Sequence, residues 1–298
     1  MGGAARRLLD DGRWHFQHGP IDCIVAADGD ADAVARCVEH AWRRFAGLLD
    51  ELVAELPLLR ADLSGAGVGI GVATPRPVGP VAARMVAACR PYGMAGTFIT
   101  AMAAVAGSVA EELIACFDAD GIARASVNNG GDIALHLAPG GTYAVGLCAD
   151  PAIALAGGPL AGRFVVDAGS PVRGIATSGW RGRSLSLGIA DSVTVLARSA
   201  SAADAAATIL GNAVDVDAPG IVRRPAGDVR DDSDLGRRLV TCAVPALSAA
   251  EIAEALAAGA AAAEEEIAGG RIVAAALSLQ GRFRLIDAAL PMPARRRA

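Results

Sequence analysis

Lysine is absent from the chain, and all 27 basic side chains among its 298 residues are arginine. That excludes a Schiff-base lysine, a Walker-type lysine and a lysine general base from whatever chemistry the chain performs. Aromatic residues are scarce, at 4% against a hydrophobic fraction of 53%, so any core has to close on small side chains, alanine above all. There is no basic excess either. A net charge of −5 argues against nucleic acid or an anionic membrane as partner, because only local arginines could neutralise phosphates. The six cysteines, Cys23, Cys37, Cys89, Cys116, Cys148 and Cys242, lie far apart with no Cys-x-x-Cys pair. They read as buried thiols of a reducing compartment, not as a disulfide framework or a zinc site. Met1 to Arg13 lacks an apolar h-region, so a cytoplasmic location is expected. No Gly-x-Ser-x-Gly elbow is present, and Ser178 has no histidine partner visible in sequence, which leaves little basis for a triad hydrolase.

One uncharged stretch, Pro91 to Ala110, is about as long as a bilayer span. It is built mostly of Ala, Gly, Thr and Ser and is cut off by Glu111-Glu112, so a buried core helix is expected instead of a membrane span. The length suits a single domain over 1–290 with a disordered tail over 291–298, where Arg295-Arg296-Arg297 sits. Trp14 to Ala27 predicts a hairpin about Gly19-Pro20. Apolar residues at Val34, Val38, Trp42, Phe45, Leu49, Leu52 and Leu56 predict one amphipathic helix, capped near Asp30 or Asp32 and stopped by Pro57. Gly65 to Pro80 reads as a loop; its Gly67-Val68-Gly69-Ile70-Gly71 leads into Thr74-Pro75 and not into a helix, so it is no Rossmann fingerprint.

Further helices are expected over Val81 to Cys89, Phe98 to Phe117, Ala202 to Leu210 and Ala249 to Ile267. Strands are expected at 122–127, 132–137, 142–148, 163–167, Ile175 to Gly179, Arg183 to Ile189, Ser192 to Ala197, Val240 to Val244, Ile272 to Leu279 and Arg282 to Ile286. Val214 to Arg238, rich in Asp, Arg, Pro and Gly, reads as a solvated excursion. His15 and His18, three apart on a strand, would point to opposite faces, and both are expected at the surface or half-buried.

Asn128-Asn129-Gly130-Gly131-Asp132 lies between two strand-like runs. The paired glycines remove two Cβ atoms where the chain turns and where a phosphate could approach; a plain hairpin turn satisfies the same residues. Ala176-Thr177-Ser178-Gly179 offers two hydroxyls and a glycine at a strand end, followed by Arg181 and Arg183, whose guanidinium forks suit phosphate oxygens. Asp204 and Thr208 are four apart, so on a helix both oxygens project from one face, a partial ligand set for Mg2+. Asp204 also fits a plain helix-start residue favoured by the dipole.

In this order and spacing the segments resemble the FAD:protein FMN transferase (ApbE) superfamily over roughly Met94 to Gly211. The chain looks most like a shorter branch of it, to which no activity is assigned. That branch is marked here by Met102 to Gly107, Asn129 to Asp132, Ser184-Leu185-Ser186, Ala190-Asp191 and Gly211-Asn212.

The resemblance implies an α+β fold, a T-fold-related mixed sheet packed against long helices. It implies FAD as ligand with Mg2+ on its pyrophosphate: Asp204 and Thr208 match the metal-binding helix residues, and Asn129 to Asp132 a loop that contacts the nucleotide. Asn128, Thr177, Ser178, Gly179 and Arg183 are further candidates for the nucleotide by their donor groups and position. Asp132 and Asp191 are further carboxylates for the same ligands. Characterised members transfer FMN to a Thr of an acceptor flavoprotein and release AMP. This chain departs from them at about Ala106, where they carry Lys, and after Gly179, where it lacks their His-containing stretch; position 183 is Arg where the short branch usually has His. The resemblance therefore supports nucleotide binding more than protein flavinylation. A Mg2+-dependent flavin-nucleotide protein, acting as FMN transferase, FAD pyrophosphatase or binder, is the first expectation. The second is a non-catalytic accessory or scaffold protein. A third is an enzyme gripping a small acid with Arg181 and Arg183. Homo-oligomerisation stays open.

Overall fold

The computed structural model describes residues 3–65, 76–147, 162–182 and 184–287. Gly67 to Gly71, Cys148, Arg183 and the 291–298 tail lie outside the described residues. The architecture is α+β, with antiparallel sheet and helices. The chain divides into two compact units, one of residues 1–142, 167–176 and 198–205, the other of residues 143–166, 177–197 and 206–298.

The first unit is built on strands β1 (Ala5–Leu8), β2 (Trp14–His18), β3 (Ile21–Gly29), β4 (Ile122–Asn129) and β5 (Asp132–Leu137), in that spatial order, each antiparallel to the next. The start of β8 (Gly174–Ser178) pairs with β5 through Ile133↔Ile175 and Ala134↔Gly174. Alternation sets Phe16, Cys23, Val25, Ala125 and Val127 on one buried face.

Against this sheet packs α1 (Ala31–Ala54). Asp30 caps it as expected, its carboxylate accepting from the Ala33 N–H at 2.9 Å, and Val38, Ala41, Phe45, Leu48 and Leu52 are its buried stripe. Phe16, Trp42 and Phe45 form one aromatic cluster with ring centroids 5.3 to 5.9 Å apart. After α1 a single turn, α2 (Leu56–Leu59), carries Pro57 in its first turn, where a missing N–H costs nothing.

The expected helix over Val81 to Cys89 is longer, α3 (Pro80–Met94), with Pro91 inside it. The uncharged stretch is therefore not one helix. It ends α3, breaks at 95–100, where Asp62 bridges Thr100, makes a 3-10 turn (Ala101–Ala104) and re-enters α4 (Val105–Ile114). Among the described residues no helix is long and apolar enough to cross a membrane. Helix α5 (Ala200–Ala213) begins in this unit and ends in the other.

The second unit holds β9 (Ser192–Ala197), β12 (Ala274–Leu279) and β13 (Arg282–Asp287), antiparallel in the order β9-β12-β13. It also holds, but for the end residues Thr142 and Asp167, the pair β6 (Thr142–Leu147) and β7 (Gly162–Asp167). Helix α7 (Ala249–Ala268) opens with a full capping box, Ser248 with Glu251, and packs on β12 and β13. The expected excursion over Val214 to Arg238 contains strand β10 (Val222–Pro225), paired with β11 (Leu239–Ala243), and a single turn, α6 (Ala226–Val229). No strand forms over 184–189. Gly188 there packs so closely that a Cβ would meet the Gly211 carbonyl oxygen at 2.2 Å, and the Asn212 Oδ1 accepts from the Leu187 N–H at 2.9 Å. Tertiary packing takes the hydrogen bonds that a strand ladder would have used.

Candidate functional site

The Asn-Asn-Gly-Gly-Asp segment is a two-residue hairpin loop. Asn129 pairs with Asp132 across it, and Gly130 and Gly131 take φ of +67° and +114°. Asn128 Oδ1 accepts from the Gly131 N–H at 2.8 Å and closes the loop. A Cβ on Gly131 would meet no atom within 4 Å, so space is open beside the turn.

Asn129 and Asp132 are both buried. The Asn129 Nδ2 donates to the Ala106 carbonyl at 3.2 Å, and its Oδ1 accepts from the Asp22 N–H at 3.4 Å. This side chain therefore ties the hairpin to the first turn of α4.

The same first turn receives Asp204 from α5. Its Oδ2 accepts from the Gly107 N–H at 2.8 Å, and the Ala106 N–H also favours the charged form. Ala104, at the head of α4, offers no side-chain cap, so Asp204 supplies one from another helix. Gly107 makes the approach feasible, since a Cβ there would stand 2.2 Å from the Ala200 carbonyl oxygen and 2.9 Å from the Asp204 Cβ. The cap is reciprocal. Glu111, on α4, accepts from the Ser201 N–H at 3.0 Å and from the Ser201 Oγ at 2.7 Å, at the start of α5.

Burial and, next, repulsion from Asp132 push the Asp204 carboxyl well above its ordinary value, against the two backbone donors. The Asp132 charge thus acts on Asp204 beside a glycine turn, and a bound cation would relieve that repulsion.

Other expected site residues fall in the second unit. Thr177 Oγ1 is 2.9 Å from Thr194 Oγ1, so that hydroxyl is already engaged. Gly179 is required by contact, because a Cβ there would meet the Asp191 carbonyl oxygen at 2.3 Å. Ser178 lies against Gly211.

Arg181 stacks on the Trp180 ring at 4.9 Å and pairs with Asp191 at 3.3 Å. Asp191 also accepts from the Trp180 indole at 3.3 Å and from the Gln280 N–H. The expected gripping arginine and ligand-reaching carboxylate thus hold each other, and Asp191 serves as an internal brace. Thr208 is half-buried, four residues on from Asp204 in α5. Among the described residues no group of three or more His, Cys, Asp or Glu side chains is arranged to hold a metal, so an ion at Asp204 would need amide, hydroxyl, water or phosphate oxygens as well. His15 is 3.0 Å from Asp22, as a half-buried residue. His18, expected at the surface or half-buried, is instead buried at 8% exposure because the strand pleat turns it onto the Phe16 face. The part of Asp204 as a cap for a helix 97 residues away was not visible in sequence.

A family model described as "AbpE bacteria" matches residues 6–285. The UPF0280 protein of Methanosphaerula palustris is 38% identical over 122 residues, 40% of this chain and 48% of that protein. UPF0280 protein MK0206 of Methanopyrus kandleri is 36% identical over 157 residues, 51% of this chain and 56% of that protein. The chain spans about half the length of the curated relatives it matches. Among solved structures, "Flavin Transferase ApbE from Vibrio cholerae" aligns with 96% of this chain and 98% of that one, at 14% identity and a TM-score of 0.35. A likeness that weak leaves the strand order and the family match to define the fold.

Proposed function

Because the chain belongs to the AbpE bacteria family, in the ApbE-like superfamily and alongside its UPF0280 branch, we propose that it binds a flavin nucleotide through its pyrophosphate with Mg2+. The observation that carries this reading is the Asp132 and Asp204 pair beside the open Gly130-Gly131 turn. An oxygen-only pair with one acid held above its ordinary value matches a hard divalent cation, which would neutralise both. Asp204 and Asp132 would hold the ion, with Thr208 as a further oxygen. The glycine turn would let a phosphate approach the backbone, and Asn129 fixes the turn on α4. Once bound, Mg2+ would supply charge neutralisation at a phosphoryl group under attack. FMN transfer to an acceptor flavoprotein, FAD pyrophosphate hydrolysis and binding alone are the outcomes this site could serve.

A second reading is favoured by one observation, the Asp204 bond to Gly107. It gives the carboxylate a purely structural task and fits an accessory or scaffold protein that kept the fold. Titrating flavin-free protein with FAD, with and without Mg2+, while following flavin fluorescence and assaying AMP, separates the two. Metal-dependent binding supports the first, with AMP release marking pyrophosphate chemistry. No binding in either condition leaves the scaffold reading.

A further inference from the structure

His18 ends β2 with its Nδ1 fully buried and without a hydrogen-bond partner. Among the described residues only two other buried side-chain atoms share that condition, the hydroxyls of Ser108 and Ser278. A serine hydroxyl proton can rotate toward a neighbouring acceptor, whereas in this orientation of the ring Nδ1 meets no partner. An unpaired buried nitrogen weakens the fold, and an apolar ring would avoid the loss.

The register shows where this ring stands. His18 pairs with Ile21, Phe16 with Cys23, Cys23 with Asn129, and Asn129 with Asp132. Opposed residues share a face, as do residues two apart, so His18 lies on the same sheet face as Asn129 and Asp132. It also lies at the same rim as the Gly130-Gly131 turn, about 10 Å away across two strand spacings. The Asp22 N–H, one place along from Ile21, donates to Asn129 and ties that rim together.

We infer that His18 is a ligand-contacting residue of this rim, its imidazole hydrogen-bonding a polar group of the bound nucleotide, a role that takes the ligand's identity from the proposed function. A half-turn about χ2 exchanges the buried Nδ1 edge for the opposite edge of the ring. The imidazole can thereby present a nitrogen to a ligand without moving the backbone. The place is held against stability, as binding residues commonly are.

The test compares wild type with His18→Phe and His18→Gln by thermal melting and by FAD titration in Mg2+. His18→Phe should melt higher by about 2–4 °C and bind FAD about fivefold to tenfold more weakly. His18→Gln, which keeps a polar atom, should recover much of the affinity. Wild-type affinity in His18→Phe, or a lower melting temperature, overturns the inference. If wild type binds no FAD, the proposed function fails on its own account, and the melt decides the residue: higher supports a ligand-facing His18, lower makes it structural.

Discussion

Asp204 is drawn on by two demands that substitution can separate. Its oxygen caps α4 through the Gly107 N–H, and its charge, set against Asp132, is what a cation would answer. Asp204→Asn keeps an acceptor and removes the charge, so thermal stability should stay within about 1 kcal/mol of wild type. Asp204→Ala loses the cap as well and should cost about 1–2 kcal/mol. Chemical denaturation of both variants measures the difference, and equal losses would show that the oxygen does no capping. The motif residues were legible in sequence as residues, but their partners were not. Asn129 was legible as a turn residue, whereas its bond to Ala106 joins positions 23 apart. Thr177 could be read as a free donor because Thr194, which engages it, lies 17 positions away on another strand.

At the scale of elements, α4 and the start of α5 cap each other, and the joint depends on one glycine. Gly107→Ala would drive a methyl into the Ala200 carbonyl and should cost about 1–3 kcal/mol, read as a lowered melting temperature. The same helices are tied outward by arginines. Arg44 reaches Glu51 at 2.6 Å and Glu112 at 2.7 Å, and Arg84 reaches Glu112 at 2.9 Å and Glu111 at 3.1 Å. Burial raises the Glu112 carboxyl, but the bonds from Arg44 and Arg84 outweigh it and hold the group below its ordinary 4.5. A folded value below the unfolded one means the contribution is present above pH 4.5 and fades as pH falls through the lower folded value. Glu112→Gln should therefore destabilise at pH 7, by about 1–2 kcal/mol, and the difference from wild type should shrink as pH drops below 4.5; a constant difference down to pH 3 would contradict this. Helix α1 was legible because its apolar stripe and Asp30 cap are local signals. The break at 95–100 was not, because the small-residue run from Pro91 to Ala110 has no periodicity to mark it and its pairing with Asp62 is non-local.

Over the whole molecule most strand positions followed from alternation and turn residues, and the α+β class from the family resemblance. The first strand did not: Ala5–Leu8 is exposed along its length and carries no hydrophobic pattern. Membership in the ApbE-like superfamily was legible because its motifs keep their order along the chain, and the match over residues 6–285 bears that out. Order alone does not say what the motifs do, since in this fold Gly179, Gly188, Asn212 and Asp191 are all engaged in packing and bracing. The balance of 27 arginines against 32 acids adds a charge-based expectation: duplex DNA should show no binding that strengthens as salt is lowered from 200 to 50 mM, measured by fluorescence anisotropy. The central claim is that the acid pair beside the glycine turn binds a flavin pyrophosphate through Mg2+. Calorimetric titration of wild type and Asp204→Asn with FAD, each with Mg2+ and with chelator, tests it most directly. Wild type should bind in Mg2+ and lose at least about tenfold in chelator, a step of about 1.4 kcal/mol, while a folded Asp204→Asn should bind equally weakly in both; equal affinity of the two proteins in Mg2+ would contradict the account.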